Sequence, residues 1–194
     1  MSEIFQRKNG VSPFESTRDL SSVLELCYED FAIYRNCQTE EEFNSTEQEG
    51  WKKFKLEGFI FSRENHLAAA TIFATVGESS EWYQQDSTKS TPNPQNSLHQ
   101  YFHARNLSYP NPNDLIELAS PLSGCQEKYK QLTHTALMQR TIDLAREKKV
   151  GILATHPEDS HQELIANLLG FTLIARFPEF YDNHTPAMVW YIKP

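Results

Sequence analysis

The chain has 194 residues, 39% hydrophobic and 23% charged, which is enough apolar material to exclude intrinsic disorder and favours a single compact unit over residues 1–194. A net charge of −8 argues against broad attraction to nucleic acid or anionic membrane, so no nucleic-acid partner is expected. No stretch approaches the ~20 apolar residues of a membrane span, and the opening MSEIFQRKNG lacks the apolar run of a secretory signal. Cys27, Cys37 and Cys125 lack the spacing of a zinc site or disulfide framework, so a cytoplasmic chain with reduced thiols is expected.

In chain order, Leu20, Val23, Leu24, Cys27, Tyr28 and Phe31 recur at the spacing of an amphipathic helix, with Ser16 and Thr17 as its N-cap. Residues 36–48, with Glu40, Glu41 and Glu42 in succession, read as a solvated helix face or loop without chemistry. Two strands of a hairpin are predicted at 58–62 and 67–76, joined by a polar turn at 63–66. Residues 77–113 are rich in Ser, Pro, Asn and Gln and form a long excursion, with a short helix around 98–104. His99 and His103 stand at a spacing that can ligate metal, but no third ligand is near them, and no metal is expected.

A strand at 114–119 is followed by a turn at 121–125 and a long helix to about Lys149, whose apolar stripe includes Leu137, Met138, Ile142, Leu144 and Ala145. Then come a strand at 151–156 and a short helix of capping-box form, Ser160-His161-Gln162-Glu163, that ends at Gly170. Two strands at 171–177 and 187–192 close the chain around a turn at 178–186.

Within the strand Leu115-Ile116-Glu117-Leu118-Ala119, Glu117 alternates with apolar neighbours. A desolvated carboxyl is expected to titrate high, which suits it to take a proton from an attacking amine; the bland alternative is a glutamate at a solvated edge or paired with a lysine. His156 and His161 flank a strand-to-helix turn, where they can orient a substrate carboxylate or relay protons, or serve only packing and capping. Gly124 lies before a helix N-terminus, a place that can bind phosphate or merely permit a tight turn.

The order helix, two strands, excursion, strand, long helix, strand, short helix, two strands makes a mixed sheet covered by helices. Its C-terminal punctuation, Leu168-Leu169-Gly170-Phe171, resembles the signature near the end of GNAT acyltransferases. Thr155-His156-Pro157 through His161, the same Leu-Leu-Gly-Phe, and Pro186-Ala187-Met188-Val189 are most similar to N-acyl amino acid synthases and acyl-homoserine lactone synthases, with a vaguer match over 28–42. The resemblance implies an α/β (α+β) fold with a mostly antiparallel central sheet and helices on both faces.

It also implies an acyl-CoA or acyl-carrier-protein thioester as co-substrate. Leu118, Ala119 and Ser120 would line its pantetheine arm, and Ser123, Gly124, Cys125 and Gln126 would meet its phosphate. A small amine such as an amino acid would be the acceptor, with Glu117 as base and Tyr34 and His156 as substrate-binding residues. Lys128 and Lys130 would be the contacts for a carrier protein. The family's glycine loop is reduced here to one glycine, and the positions of its acid tyrosine hold Ile165 and Ala166; Tyr181, between the last strands, is a candidate to replace that acid or to act as an aromatic clamp, and His161 is the other candidate for acid-base work. The expected activity is N-acyl transfer to a small amine, with acetyl-CoA-dependent N-acetylation and a non-catalytic binding or sensing module as alternatives.

Overall fold

The computed structural model describes residues 10–31, 39–51, 55–64, 66–77, 93–124, 127–181 and 183–194. A single seven-stranded sheet runs β1 (Gly10–Pro13), β2 (Glu57–Arg63), β3 (His66–Thr75), β4 (Leu115–Gly124), β5 (Gly151–Pro157), β7 (Ala187–Ile192), β6 (Thr172–Phe177) from edge to edge. Every neighbouring pair is antiparallel except β4 and β5.

Alternation along the strands sorts the apolar residues onto two faces. On one face, α1 (Ser16–Phe31) and α2 (Glu40–Trp51) bury Val23, Leu24, Cys27, Phe43 and Trp51 against Ile60, Ala70 and Ile72. Beside them on the same face, α3 (Pro94–His103) seats Leu98 and Phe102 on Leu115, Leu153, Val189 and Tyr191. The other face carries α4 (Glu127–Lys148) and α5 (Ser160–Leu168), which bring Leu137, Met138, Ile142, Ile165 and Ala166 to Phe73, Ile116, Leu118, Ile152 and Trp190. Helices cover both faces, as the sequence implies.

Several details differ from the sequence reading. β1 was not anticipated; it is a four-residue edge strand ending in proline, too short to show a period. Ser16 lies inside α1 rather than capping it: Asp19, fully buried, accepts the backbone N–H of Glu15 at 2.9 Å and pairs with Arg18 at 2.7 Å. The acidic stretch at 36–48 belongs in part to α2, a helix whose Phe43 and Trp51 are buried. The cap of α5 is Asp159, whose carboxylate accepts the His161 N–H at 2.6 Å, and not Ser160.

The largest difference is at 121–124, expected as a turn and found as the second half of β4. Phe73 faces Leu118 but Ile72 faces Ser120, leaving Ala119 as an extra residue; Ala70 faces Ser123, so another extra residue falls at 121–122. These bulges keep β4 paired with β3 down to Gly124. Pro121 is tolerated because β5 has already left this stretch of β4, and a strand without a neighbour on one side has no ladder bond there to lose.

β4 and β5 pair at only three positions, Leu115 with Gly151, Ile116 with Ile152 and Glu117 with Leu153. Beyond them β4 follows β3 and β5 follows β7, so the sheet opens into a wedge with Glu117 and Leu153 at its apex. Gly151 sits at the closed end, where an added Cβ would meet Leu115 Cδ2 at 2.8 Å and Tyr191 Cε2 at 2.9 Å. Gly151→Ala is therefore expected to lower the unfolding free energy by about 2 kcal/mol, measured by urea titration.

Candidate active site

Glu117 is opposite Ala74 of β3 and Leu153 of β5, on the face that α1, α2 and α3 cover. It is 1% exposed. Gln95, in the first turn of α3, donates from Nε2 to its Oε2 at 3.2 Å. Asn93 makes this possible by capping α3, accepting the Gln95 N–H at 2.8 Å, while Pro94 fills the first helical position, where its missing N–H is harmless. The excursion thus folds back over the apex of the wedge.

Tyr109 arrives from the same excursion. Burial pushes its phenol above the ordinary value, and the negative charge of Glu117 adds to the shift. Its ring stacks on His99 at 3.5 Å and meets Phe102 edge-on at 5.9 Å. Tyr191 of β7 completes the group against Tyr101 and Phe102; burial first, then Tyr101 and Tyr109, push it up to about 12. Glu117 therefore lies near the Tyr109 phenol and accepts from the Gln95 amide. A carboxylate in such surroundings is costly unless hydrogen-bonded.

On the opposite face, β5 presents Ala154 and His156 next to the wedge. His156 is 3% exposed; its Nδ1–H donates to the Pro157 carbonyl at 2.8 Å, and its ring lies nearly parallel to Trp190 with centroids 6.2 Å apart. The hydrogen bond to Pro157 leaves Nε2 as the bare acceptor nitrogen of a neutral ring, and Nε2 has no partner. Burial holds the imidazole below its ordinary value, against the weaker pull of the Pro157 carbonyl, Asp159 and Glu163. His161, at the start of α5, places Nε2 3.0 Å from Nδ1 of the fully buried His134 on α4.

The sequence-level candidates thus separate. Glu117 lies at the apex on one face, whereas His156 and His161 lie across the sheet from it. Tyr181 is half-buried in the β6–β7 turn, its ring edge-on to Phe180 at 5.0 Å, and its N–H donates to Thr185. Because β7 begins opposite Pro157, that turn lies at the open end of the wedge. Leu118 is buried under α4, Ala119 is the bulge residue, and Ser120, Ser123 and Gly124 continue β4 opposite Ile72, Ala70 and Ala69. Tyr34, Cys125 and Gln126 lie outside the described residues.

His99, half of the possible metal pair, is stacked on Tyr109, and no cluster of three metal-ligating side chains occurs among the described residues. Gln95, Tyr109, His134 and Trp190 went unnoticed in the sequence. Only Gln95 had a local signal, the Asn-Pro helix start before it; the others are brought in by packing between distant elements.

The fold as a whole has counterparts among solved structures. The fold is that of the GNAT acetyltransferases. An N-acetyltransferase from Staphylococcus aureus Mu50 is 14% identical with TM-score 0.60, over 96% of this chain and 99% of that one. The ribosomal-protein-S18-alanine N-acetyltransferase from Escherichia coli is 14% identical with TM-score 0.55, over 95% and 93%. The aminoglycoside 6'-N-acetyltransferase from Enterococcus faecium is 10% identical with TM-score 0.55, over 93% and 94%. In sequence the chain matches no family model and no curated protein.

The lowered His156 value has a consequence for stability. The unfolded chain binds a proton at this residue near about pH 6.5, whereas the folded chain does so only at lower pH. Its contribution is complete above that value and is lost as pH falls through the folded value. The melting temperature is expected to drop on acidification below about pH 6.5, with His156→Gln flattening that limb, as read by circular dichroism.

Proposed function

We propose that this protein is an N-acyltransferase that moves an acyl group from a thioester to a small amine by direct attack. One observation carries the reading: the wedge between β4 and β5 has a fully buried carboxylate, Glu117, at its apex. In this mechanism the amine nitrogen attacks the thioester carbonyl carbon while Glu117 takes a proton from it. The N–C bond forms, the C–S bond breaks, and the departing sulfur takes up a proton, for which Tyr181 is the candidate donor. Gln95 orients the Glu117 carboxylate from the side.

The donor arm lies in the wedge, along Leu118, Ala119 and Ser120 of β4, and its phosphate meets the 123–126 segment ahead of α4, with acyl-CoA or an acyl carrier protein as its source. The helix N-terminus attracts the phosphate. The likeness of 155–161, 168–171 and 186–189 to N-acyl amino acid synthases supports a fatty acyl donor and an amino-acid acceptor. A second reading, acetyl transfer from acetyl-CoA, is supported by the neighbours in fold, each described as an acetyltransferase.

Thermal shift against acetyl-CoA, long-chain acyl-CoAs and acyl-carrier-protein thioesters separates these readings, since a ligand of the folded state raises the melting temperature. A shift with long donors alone supports the synthase-like activity, and one with acetyl-CoA the acetyltransferase. Absence of any shift at saturating donor would refute acyl transfer. Glu117→Gln is expected to keep donor binding while thiol release in the presence of amine falls by about 10²-fold or more; a binding module would have no turnover to lose.

A further inference from the structure

β4 leads into α4 and β5 leads into α5, so each arm of the wedge delivers one of the two helices on that face. The helices share an apolar cluster through Met138, Ile165 and Ala166, and an imidazole pair ties them: His134 Nδ1 lies 3.0 Å from His161 Nε2. His134 is fully buried, whereas His161, in the first turn of α5, is half-buried. The ring centroids are 5.2 Å apart at an interplanar angle of 57°. Such a separation is the N···N distance plus the two ring radii, so the nitrogens point at one another end to end, as in an N–H···N hydrogen bond and not a stack.

Proton counting sets what this contact tolerates. Between two neutral imidazoles, one facing nitrogen is protonated and donates, and the other is bare and accepts. One added proton leaves the bond in place, because it settles on the outward nitrogen of the donor ring and makes the bond charge-assisted. A second has only the accepting nitrogen to occupy. N–H then meets N–H, the bond is gone, and two cations face each other, one of them fully buried. The charged groups around the pair are Asp159, which accepts the His161 N–H, Glu158 and Glu163, both bridged by Arg176 of β6, and Lys130, one turn before His134 on α4. His156 of β5 is the remaining titratable neighbour. The carboxylates favour the first proton, and Lys130 and Arg176 oppose the second.

We infer that His134 and His161 form a pH-sensitive clasp that holds α5 to α4, bonded with no added proton or with one, and released by the second. The device is independent of the acyltransferase reading, because it follows from the pair itself and from the connection of each strand to its helix. Release loosens the first turns of α5 while β5 stays paired with β7 through Pro157. The helix after one arm of the wedge then moves independently of the helix after the other, and the sheet is kept.

Amide hydrogen exchange of the full chain tests the clasp, compared at about pH 7.5 and about pH 5, on either side of the ordinary imidazole value. His156→Gln serves as the background, which silences the other acid-sensitive histidine of this face. After correction for intrinsic rates, the α5 amides are expected to exchange about tenfold faster at the acid end, with β5 and β7 keeping their protection. Adding His161→Gln, whose side-chain amide bonds without titrating, should hold α5 equally well at both pH values. Adding His161→Phe, which deletes the bond, should leave α5 fast-exchanging at both. Protection of α5 that is the same at both pH values with the two rings in place would overturn the clasp, and so would an acid loss that persists in His161→Gln. Simultaneous loss of protection in β5 and β7 would overturn it too, by tracing the effect to unfolding of the whole domain.

Discussion

Everything distinctive in this structure depends on β4 and β5 ceasing to pair after Glu117 and Leu153. A parallel pair of ten- and seven-residue strands has the length to continue, but the extra residue at Ala119 swings β4 after β3, while β5 stays in register with β7 through Pro157. Past the apex, the facing edges of both strands carry backbone donors and acceptors that the sheet itself does not use. Buried backbone groups seldom go without partners, so the opening is a natural cradle for an extended polar chain. The crossover between these strands runs through α4, whose 22 residues span the same face that bears His156 and Trp190.

The order of elements was legible because most of them carry their own period. The two strands of the β2–β3 hairpin, α4, β5, α5 and β7 were all visible from alternation or from helical spacing, and the glycine that ends α5 is at φ +81°, as a left-handed helix stop requires. The likeness at 168–171 then pointed to the fold. What stayed hidden was non-local. A bulge at Ala119 leaves no mark in composition, since it is a property of pairing with Phe73 and Ile72, and Pro121 read as a turn because its tolerance depends on the absence of a neighbour. Gln95 and Tyr109 reach Glu117 from 22 and 8 residues away along a segment that looked like a loop. The histidines were visible individually, but the sequence does not say that His161 meets His134 while His156 meets Trp190.

The two faces of the sheet differ in electrostatic character. Glu117 is buried near the Tyr109 phenol, with the amide of Gln95 as a donor. Across the sheet the lining is mostly aliphatic, joined by the His156 and Trp190 rings, and the charges of Glu158, Glu163 and Arg176 stay toward the surface at the start of α5, where Arg176 of β6 bridges Glu158 and Glu163.

The excursion that carries α3 has one more implication, about how such a protein diversifies. The elements around His156 and Trp190 come from residues 127–194, whereas Gln95 and Tyr109 come from the segment between β3 and β4. Over the carboxylate lies a module anchored by α3, whose Leu98 and Phe102 pack on β4, β5 and β7. Replacement of that module by recombination would remodel the approach to Glu117 and leave the opposite face of the sheet intact. The covering of Glu117 would then change while β5 and β7 keep their pairing.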